Sequence, residues 1–163
     1  MFTPVKRGMR RRAEMIIRKM DLSDALEAAQ ISNECFSRPW TAENFKESLA
    51  TGLCVAFVAQ DEGELTGYIT ADNVSGEVFI GNVAVRCQSR RSGIGKLLVS
   101  SLITECERLN AQYITLEVRV SNEPARALYK KFNFEEQGIR KNFYSAPKED
   151  ALIMTRFLRR TTE

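Results

Sequence analysis

Between positions 54 and 85, three apolar runs (54–60, 65–74 and 78–85) follow one another with only short polar interruptions, Asp61-Glu-Gly-Glu64 and Ser75-Gly-Glu77. Connections this short join antiparallel neighbours, because a parallel crossover needs a dozen or more residues. The middle of the chain must therefore build a meander, and the rest has to pack on it. A loop over 86–93 then leads into residues 94–110, where Ile94, Leu97, Leu98, Leu102 and Leu109 repeat at helical spacing.

The flanks supply the other elements. Residues 15–20 read as a strand, and Asp21 can cap a helix that runs to Cys35 with Leu22, Leu26, Ala29 and Asn33 at helical spacing. Pro39 interrupts, Thr41 offers a hydroxyl cap, and Phe45 and Leu49 lie four apart on a second short helix that ends at Gly52. Residues 113–118 form the next strand, Asn122 caps a helix to Lys131, and 134–139 and 151–157 are closing strands. With no internal repeat or linker, the expected fold over 15–163 is a single α+β domain, a mixed and mostly antiparallel central sheet flanked by helices.

Several chemistries are excluded by what the 163 residues lack. There is no histidine, so a Ser-His-Asp triad, a Cys-His dyad and the common His-containing zinc sites are unavailable, and no metal is expected. Cys35, Cys54, Cys87 and Cys106 include no Cys-x-x-Cys pair, and a chain this long can form a core without disulfides, so reduced thiols are expected. No run approaches the roughly 18–20 apolar residues of a membrane span, which makes a cytoplasmic protein without a membrane partner the default. The net charge of +3 is concentrated at one end: Lys6, Arg7, Arg10, Arg11 and Arg12 against Glu14 give residues 1–14 a charge of +4, leaving −1 for the remainder. That basic arm is expected to be disordered and solvated, with at most a weak attraction to RNA or ribosomes.

The loop before the long helix carries Arg90-Arg-Ser-Gly-Ile-Gly95. A glycine-bearing turn that opens a helix presents unpaired amides and the positive helix end to an anion. It is no Walker loop, since Arg90 stands where the first glycine should be and Leu97 follows Gly95-Lys96; nor is it a Rossmann fingerprint, since Leu98 takes the third glycine position. Alone, such a turn is more often a tight corner than a ligand site. Placed between the strand Asn82-Val-Ala-Val85 and a helix continuing Lys96-Leu-Leu98, Arg90-x-x-Gly93-x-Gly95 resembles the coenzyme motif of the GNAT superfamily of acyl-CoA-dependent N-acyltransferases. The resemblance implies that the amides of Arg91, Ser92, Gly93, Ile94, Gly95 and Lys96 hold the pyrophosphate of acetyl-CoA, with charge added by Arg90.

Downstream, Leu116-Glu-Val-Arg-Val-Ser-Asn-Glu-Pro-Ala-Arg-Ala-Leu-Tyr129 joins a strand to a helix and offers two proton carriers, Glu117 and Tyr129. Spacing alone favours a solvated strand carboxylate for Glu117 and a core aromatic for Tyr129. The segment is, however, similar to the second GNAT motif, and its Leu-Glu-Val-Arg-x-Ser-Asn wording is similar to RimI-type ribosomal-protein alanine N-acetyltransferases and archaeal amino-terminal acetyltransferases. The likeness extends to Phe36-Ser-Arg-Pro-Trp40, which resembles an early substrate loop, and to Arg140-Lys-Asn-Phe-Tyr144 with Glu149-Asp-Ala151, which resemble a closing hairpin.

What this resemblance implies is direct acetyl transfer from acetyl-CoA to a protein's terminal amine, ribosomal proteins among the partners. Glu117 matches the general base and Tyr129 the acid that protonates the leaving thiol; Asn122 matches a residue bonding the pantetheine arm, and a backbone amide of Val83, Ala84 or Val85 the group that stabilises the carbonyl oxygen. An α-amine has a pKa of ~8 against ~10.4 for lysine, so modest base assistance suffices. Tyr144 would bond the substrate backbone, while Phe36, Pro39 and Trp40 would line the first-residue pocket; Trp40 reads equally well as a core anchor. Two departures bear on side-chain preference: Phe143-Tyr144 where some relatives carry two tyrosines, and Arg38 where others have an aromatic. Other readings are an acetyltransferase for lysine side chains, polyamines or another small amine, an RNA- or ribosome-binding module using 1–14 with Arg156, Arg159 and Arg160, and an inactive acyl-CoA sensor.

Overall fold

The structure, a computed structural model, describes residues 15–159, so the expectations for the basic arm and for Arg160 lie outside it. Seven strands form one sheet: β1 (Ile16–Lys19), β2 (Cys54–Asp61), β3 (Glu64–Val74), β4 (Glu77–Val85), β5 (Tyr113–Arg119), β6 (Glu135–Ser145) and β7 (Lys148–Phe157). Their order is β1-β2-β3-β4-β5-β7-β6, with every pair antiparallel except β4 and β5. The parallel pair is bridged by α3 (Ile94–Arg108), the crossover such pairing requires. The remaining α-helices are α1 (Ala25–Cys35), α2 (Ala42–Ala50) and α4 (Glu123–Lys131).

Side-chain alternation divides the core between the two faces of the sheet. On one face Val78, Ile80, Ile114, Leu116 and Met154 meet Leu98, Leu102 and Cys106 of α3. On the other, Ala56, Val58 and Tyr68 meet Ala28 and Ile31 of α1 and Phe45 of α2. Leu98 and Leu102 are fully buried, and truncating either to alanine should cost about 2–5 kcal/mol. The four cysteines are unpaired thiols. No helix among the described residues is long and apolar enough to cross a membrane.

The first helix departs from expectation. Asp21 does cap, accepting from the Ser23 amide at 2.8 Å, but what it caps is a single 3-10 turn, Leu22–Asp24, and the α-helix starts at Ala25. Arg18 donates to both Asp24 oxygens at 2.8 Å, and the Asp21 amide donates to Asp24 Oδ2. Burial alone would raise the Asp24 carboxyl, but these bonds hold it below the ordinary range. The turn rotates the helix so that Ala25, Ala28, Ile31 and Ser32 are buried, while Leu22, Leu26 and Asn33 lie exposed. On α3, Ile94, Leu98 and Leu102 are buried as expected, but Leu97 and Leu109 are exposed and Val99, Ile103 and Cys106 complete the inner face. The closing strands are longer than 134–139 and 151–157; they meet in a hairpin whose turn is Ala146-Pro147.

Candidate active site

The site begins with an interruption in the sheet. Strands β4 and β5 pair only over Glu77–Phe79 and Tyr113–Thr115, although β4 continues to Val85 and β5 to Arg119. Opposite Thr70 and Ala71 of β3, the register of β4 skips Gly81, a bulge that bends the strand. Past it the two strands diverge and leave an opening through the sheet. On its β3 side β4 stays paired, and the Arg86 amide bonds the Thr66 carbonyl at 2.8 Å. Antiparallel alternation then turns the backbone of Ala84 toward Tyr68 and the backbone groups of Val83 and Val85 toward the opening. The Val85 carbonyl on that edge accepts from Arg90 Nε at 3.2 Å and from Cys35 Sγ at 3.4 Å.

Below the opening lies the glycine-bearing loop. Arg91 and Gly93 both take left-handed backbone, with φ of 63° and 84°, and Gly93 is the N-cap of α3 with no side-chain cap bond. Left-handed residues before a helix gather successive amides into a concave anion cradle, and the amides of the first turn, Ile94, Gly95 and Lys96, have no carbonyl partner within the helix. A Cβ at Gly93 would meet nothing within 4 Å, and one at Gly95 only Leu128 Cδ2 at 3.6 Å, so the cradle is open. Ser92 ties the loop by donating to the Ser89 carbonyl, and Arg90 is exposed.

The two residues expected to carry protons, Glu117 and Tyr129, sit on opposite faces of the sheet. Leu116 and Val118 point into the α3 core, so Glu117 projects from the other face, where its carboxylate lies 3.5 Å from Arg140 Nε of β6. Tyr129, on α4, is buried in the α3-side core with its ring 5.6 Å from Phe134. Burial, reinforced by nearby Tyr144, pushes its phenol up to about 12, which keeps it a neutral proton donor at any physiological pH. Asn122 Oδ1 accepts from the Ala125 amide at 3.2 Å and caps α4, three positions beyond the end of β5.

Of the other residues expected of a substrate wall, Tyr144 lies near Glu117. Tyr144 is half-buried under the Arg119 guanidinium, which lies 4.2 Å from its ring centroid. Burial raises the Tyr144 phenol, Arg119 opposes that, and Glu117 and Glu149 add to it. The loop at Phe36–Trp40 reaches the hairpin turn, Ser37 Oγ donating to the Ala146 carbonyl at 3.0 Å. Phe36 is half-buried against the second core cluster and Pro39 is exposed. Trp40 packs edge-on to Phe45 at 5.1 Å, and its amide donates to Ser32 Oγ at 2.9 Å, so the ring is anchored in the core on one side. Arg119, Glu149 and Ser37 were not singled out as site residues in the sequence; their partners lie about 30 to 109 positions away, and no local pattern reveals such contacts.

The structure thus combines a sheet opened between two parallel strands, a run of unpaired amides at the following helix, a carboxylate on one face and a buried phenol on the other. The sequence pattern of the acetyltransferase (GNAT) family matches residues 25–134. The chain belongs to the GNAT acetyltransferase family. A Bacillus subtilis (strain 168) protein provisionally named a ribosomal protein bS18-alanine N-acetyltransferase is 38% identical over 139 residues, covering 85% of this chain and 92% of its own. The N-alpha-acetyltransferase of Sulfurisphaera tokodaii is 34% identical over 166 residues, 94% of this chain and 96% of that protein. The crystal structure of the ribosomal-protein-S18-alanine N-acetyltransferase from Escherichia coli superposes with a TM-score of 0.85 at 29% identity, covering 92% of this chain and 97% of the other. This GNAT enzyme is thus an N-acetyltransferase, with the α+β fold read from its sequence.

Proposed function

We propose that this enzyme transfers the acetyl group of acetyl-CoA directly to the α-amine of protein amino termini, ribosomal proteins among them. The observation that carries the reading is the opening between β4 and β5: it joins the face bearing the α3 cradle and Tyr129 to the face bearing Glu117 and Tyr144. Two substrates held on either side can meet there without a covalent intermediate on the protein, and holding them together supplies much of the rate advantage. The names of the relatives support an amino-terminal acceptor.

Acetyl-CoA, when bound, supplies an activated thioester. The amides from Arg91 to Lys96 would hold its pyrophosphate, Arg90 would add charge, and Asn122 would bond its pantetheine arm. The outward-facing amides of Val83 and Val85 would steady charge on the thioester oxygen. Glu117 would draw the proton from the acceptor amine, through water, and Tyr129 would give one to the departing thiol. Tyr144, Phe36, Pro39 and Trp40 would position the first residues of the peptide. A cytoplasmic site of action fits these substrates, and the basic arm would add at most a weak attraction to ribosomal RNA.

The test uses two bisubstrate compounds, one joining a peptide's α-amine to coenzyme A through an acetyl bridge, the other joining a lysine ε-amine of an amino-blocked peptide. The α-linked compound should bind at least about ten-fold more tightly, a difference of ~1.4 kcal/mol. Equal binding, or preference for the ε-linked compound, would move the acceptor to lysine.

A further inference from the structure

Arg119 makes more contacts in this site than any role so far assigned to it uses. It ends β5, two positions beyond Glu117, and its side chain is three-quarters buried. Nη1 donates to the Pro147 carbonyl at 2.8 Å and to Glu149 Oε1 at 3.3 Å; Nη2 donates to the Ala146 carbonyl at 3.1 Å. The plane of the guanidinium covers the Tyr144 ring. Glu149 uses its second oxygen to accept from the Ser121 amide at 2.7 Å, next to the Asn122 cap of α4. The Ala146 carbonyl that receives Nη2 also receives Ser37 Oγ from the early loop. One side chain thus ties together the end of β5, the β6–β7 turn, the start of the α4 segment and, through Ala146, the loop before Trp40.

We propose that Arg119 is a positioning residue for the peptide acceptor: it clamps Tyr144 and the β6–β7 turn against the end of β5, and so sets peptide affinity without touching the coenzyme. The proposal rests on the α-amine reading of the site. Its chemistry requires arginine in particular. A fork of fixed N–H directions serves two adjacent carbonyls and a carboxylate while its flat face stacks on a ring; an ammonium keeps the charge but cannot do both. The clamp stands apart from the α3 cradle, because none of its bonds reaches residues 90–96.

Arg119→Lys should raise the KM for a free-amino-terminal peptide about ten-fold, leave kcat within roughly three-fold and leave the KM for acetyl-CoA within about two-fold. If the clamp works through Tyr144, then in a Tyr144→Leu background, where no ring remains to stack, Arg119→Lys should change peptide KM by less than about two-fold. Glu149→Gln, a milder change that loosens the same fork, should raise peptide KM about three-fold with acetyl-CoA KM unchanged, and provides the measurement if Arg119→Lys folds poorly. An unaltered peptide KM in both Arg119→Lys and Glu149→Gln, an equal rise in both substrates' KM, or fully multiplicative effects of Arg119 and Tyr144 would each overturn the proposal. Failure of the wild-type enzyme to turn over any free-amino-terminal peptide would instead refute the α-amine reading, and the proposal with it.

Discussion

Replacing Glu117 with glutamine separates chemistry from folding more cleanly than any other single change in this enzyme. The carboxylate's charged neighbour is Arg140 at 3.5 Å, and the two side chains are 30% and 58% exposed, so the pair belongs to the class of solvent-screened bridges worth about 0–1 kcal/mol. Glutamine keeps the shape, and the melting temperature should move by no more than ~4 °C for a chain of this size. A positioned general base contributes ~10²–10⁴-fold, so kcat at neutral pH should fall by at least about two orders of magnitude, or ~2.7 kcal/mol of barrier. The assay is initial-rate release of coenzyme A thiol with a free-amino-terminal peptide, run beside thermal unfolding. The deficit should shrink as pH rises past ~8, where the α-amine loses its proton without help. A variant that keeps kcat within about three-fold of wild type at neutral pH would remove Glu117 from the base's role.

Three further outcomes follow from the geometry. Tyr129→Phe keeps the ring packed on Phe134, so stability should change by less than about 1 kcal/mol while kcat falls ~10²-fold; an acyl donor with a more acidic leaving thiol should recover much of the loss, and a rate insensitive to the thiol would refute the acid's role. Gly93→Val forces a β-branched residue into left-handed backbone at a cost of ~1–2 kcal/mol and distorts the cradle, so calorimetric affinity for acetyl-CoA should drop by about ten-fold or more. In the last turn of α3, hydrogen bonds from Arg108 and then Lys19 outweigh burial and hold the Glu105 carboxyl down to about 2. Its contribution to stability is present above the ordinary carboxylate pKa of ~4.3 and disappears as pH falls through that value toward the folded one, so Glu105→Gln should lower the urea midpoint at pH ~7 and flatten the acid limb.

The parts of the fold legible in the sequence were those governed by short-range chemistry. The meander from 54 to 85 followed from two tight turns, and the Asn122 and Thr41 caps sat where their side chains could meet backbone amides. The inner face of α1 departs from the spacing of Leu22, Leu26, Ala29 and Asn33 because the 3-10 turn capped by Asp21 precedes the α-helix and Ala25, Ala28, Ile31 and Ser32 take the buried face, a rotation that apolar spacing alone does not encode. Strand β6 was seen only in part, since Glu135 to Ser145 is exposed along nearly its whole length and an edge strand of charged residues has no apolar alternation to read. The opening between β4 and β5 was invisible for a different reason: it arises from a bulge at Gly81 and from where a parallel pair stops, neither of which has a local signature. Glu117 and Tyr129 stand in a segment whose wording is shared with a known family, whereas the contacts of Arg119 exist only in the folded chain.

The central claim, acetyl transfer to the amino terminus, is tested most directly by mass spectrometry of a peptide panel incubated with the enzyme and acetyl-CoA. The panel sets free-amino-terminal peptides with Ala, Ser or Met first beside amino-blocked peptides that contain lysine, with a polyamine as a small-amine control. The account predicts one added acetyl group, located by fragmentation on the first residue of the free-terminal peptides, and none on the blocked peptides or the polyamine. Acetyl groups on lysine or polyamine with the free termini unmodified would contradict it.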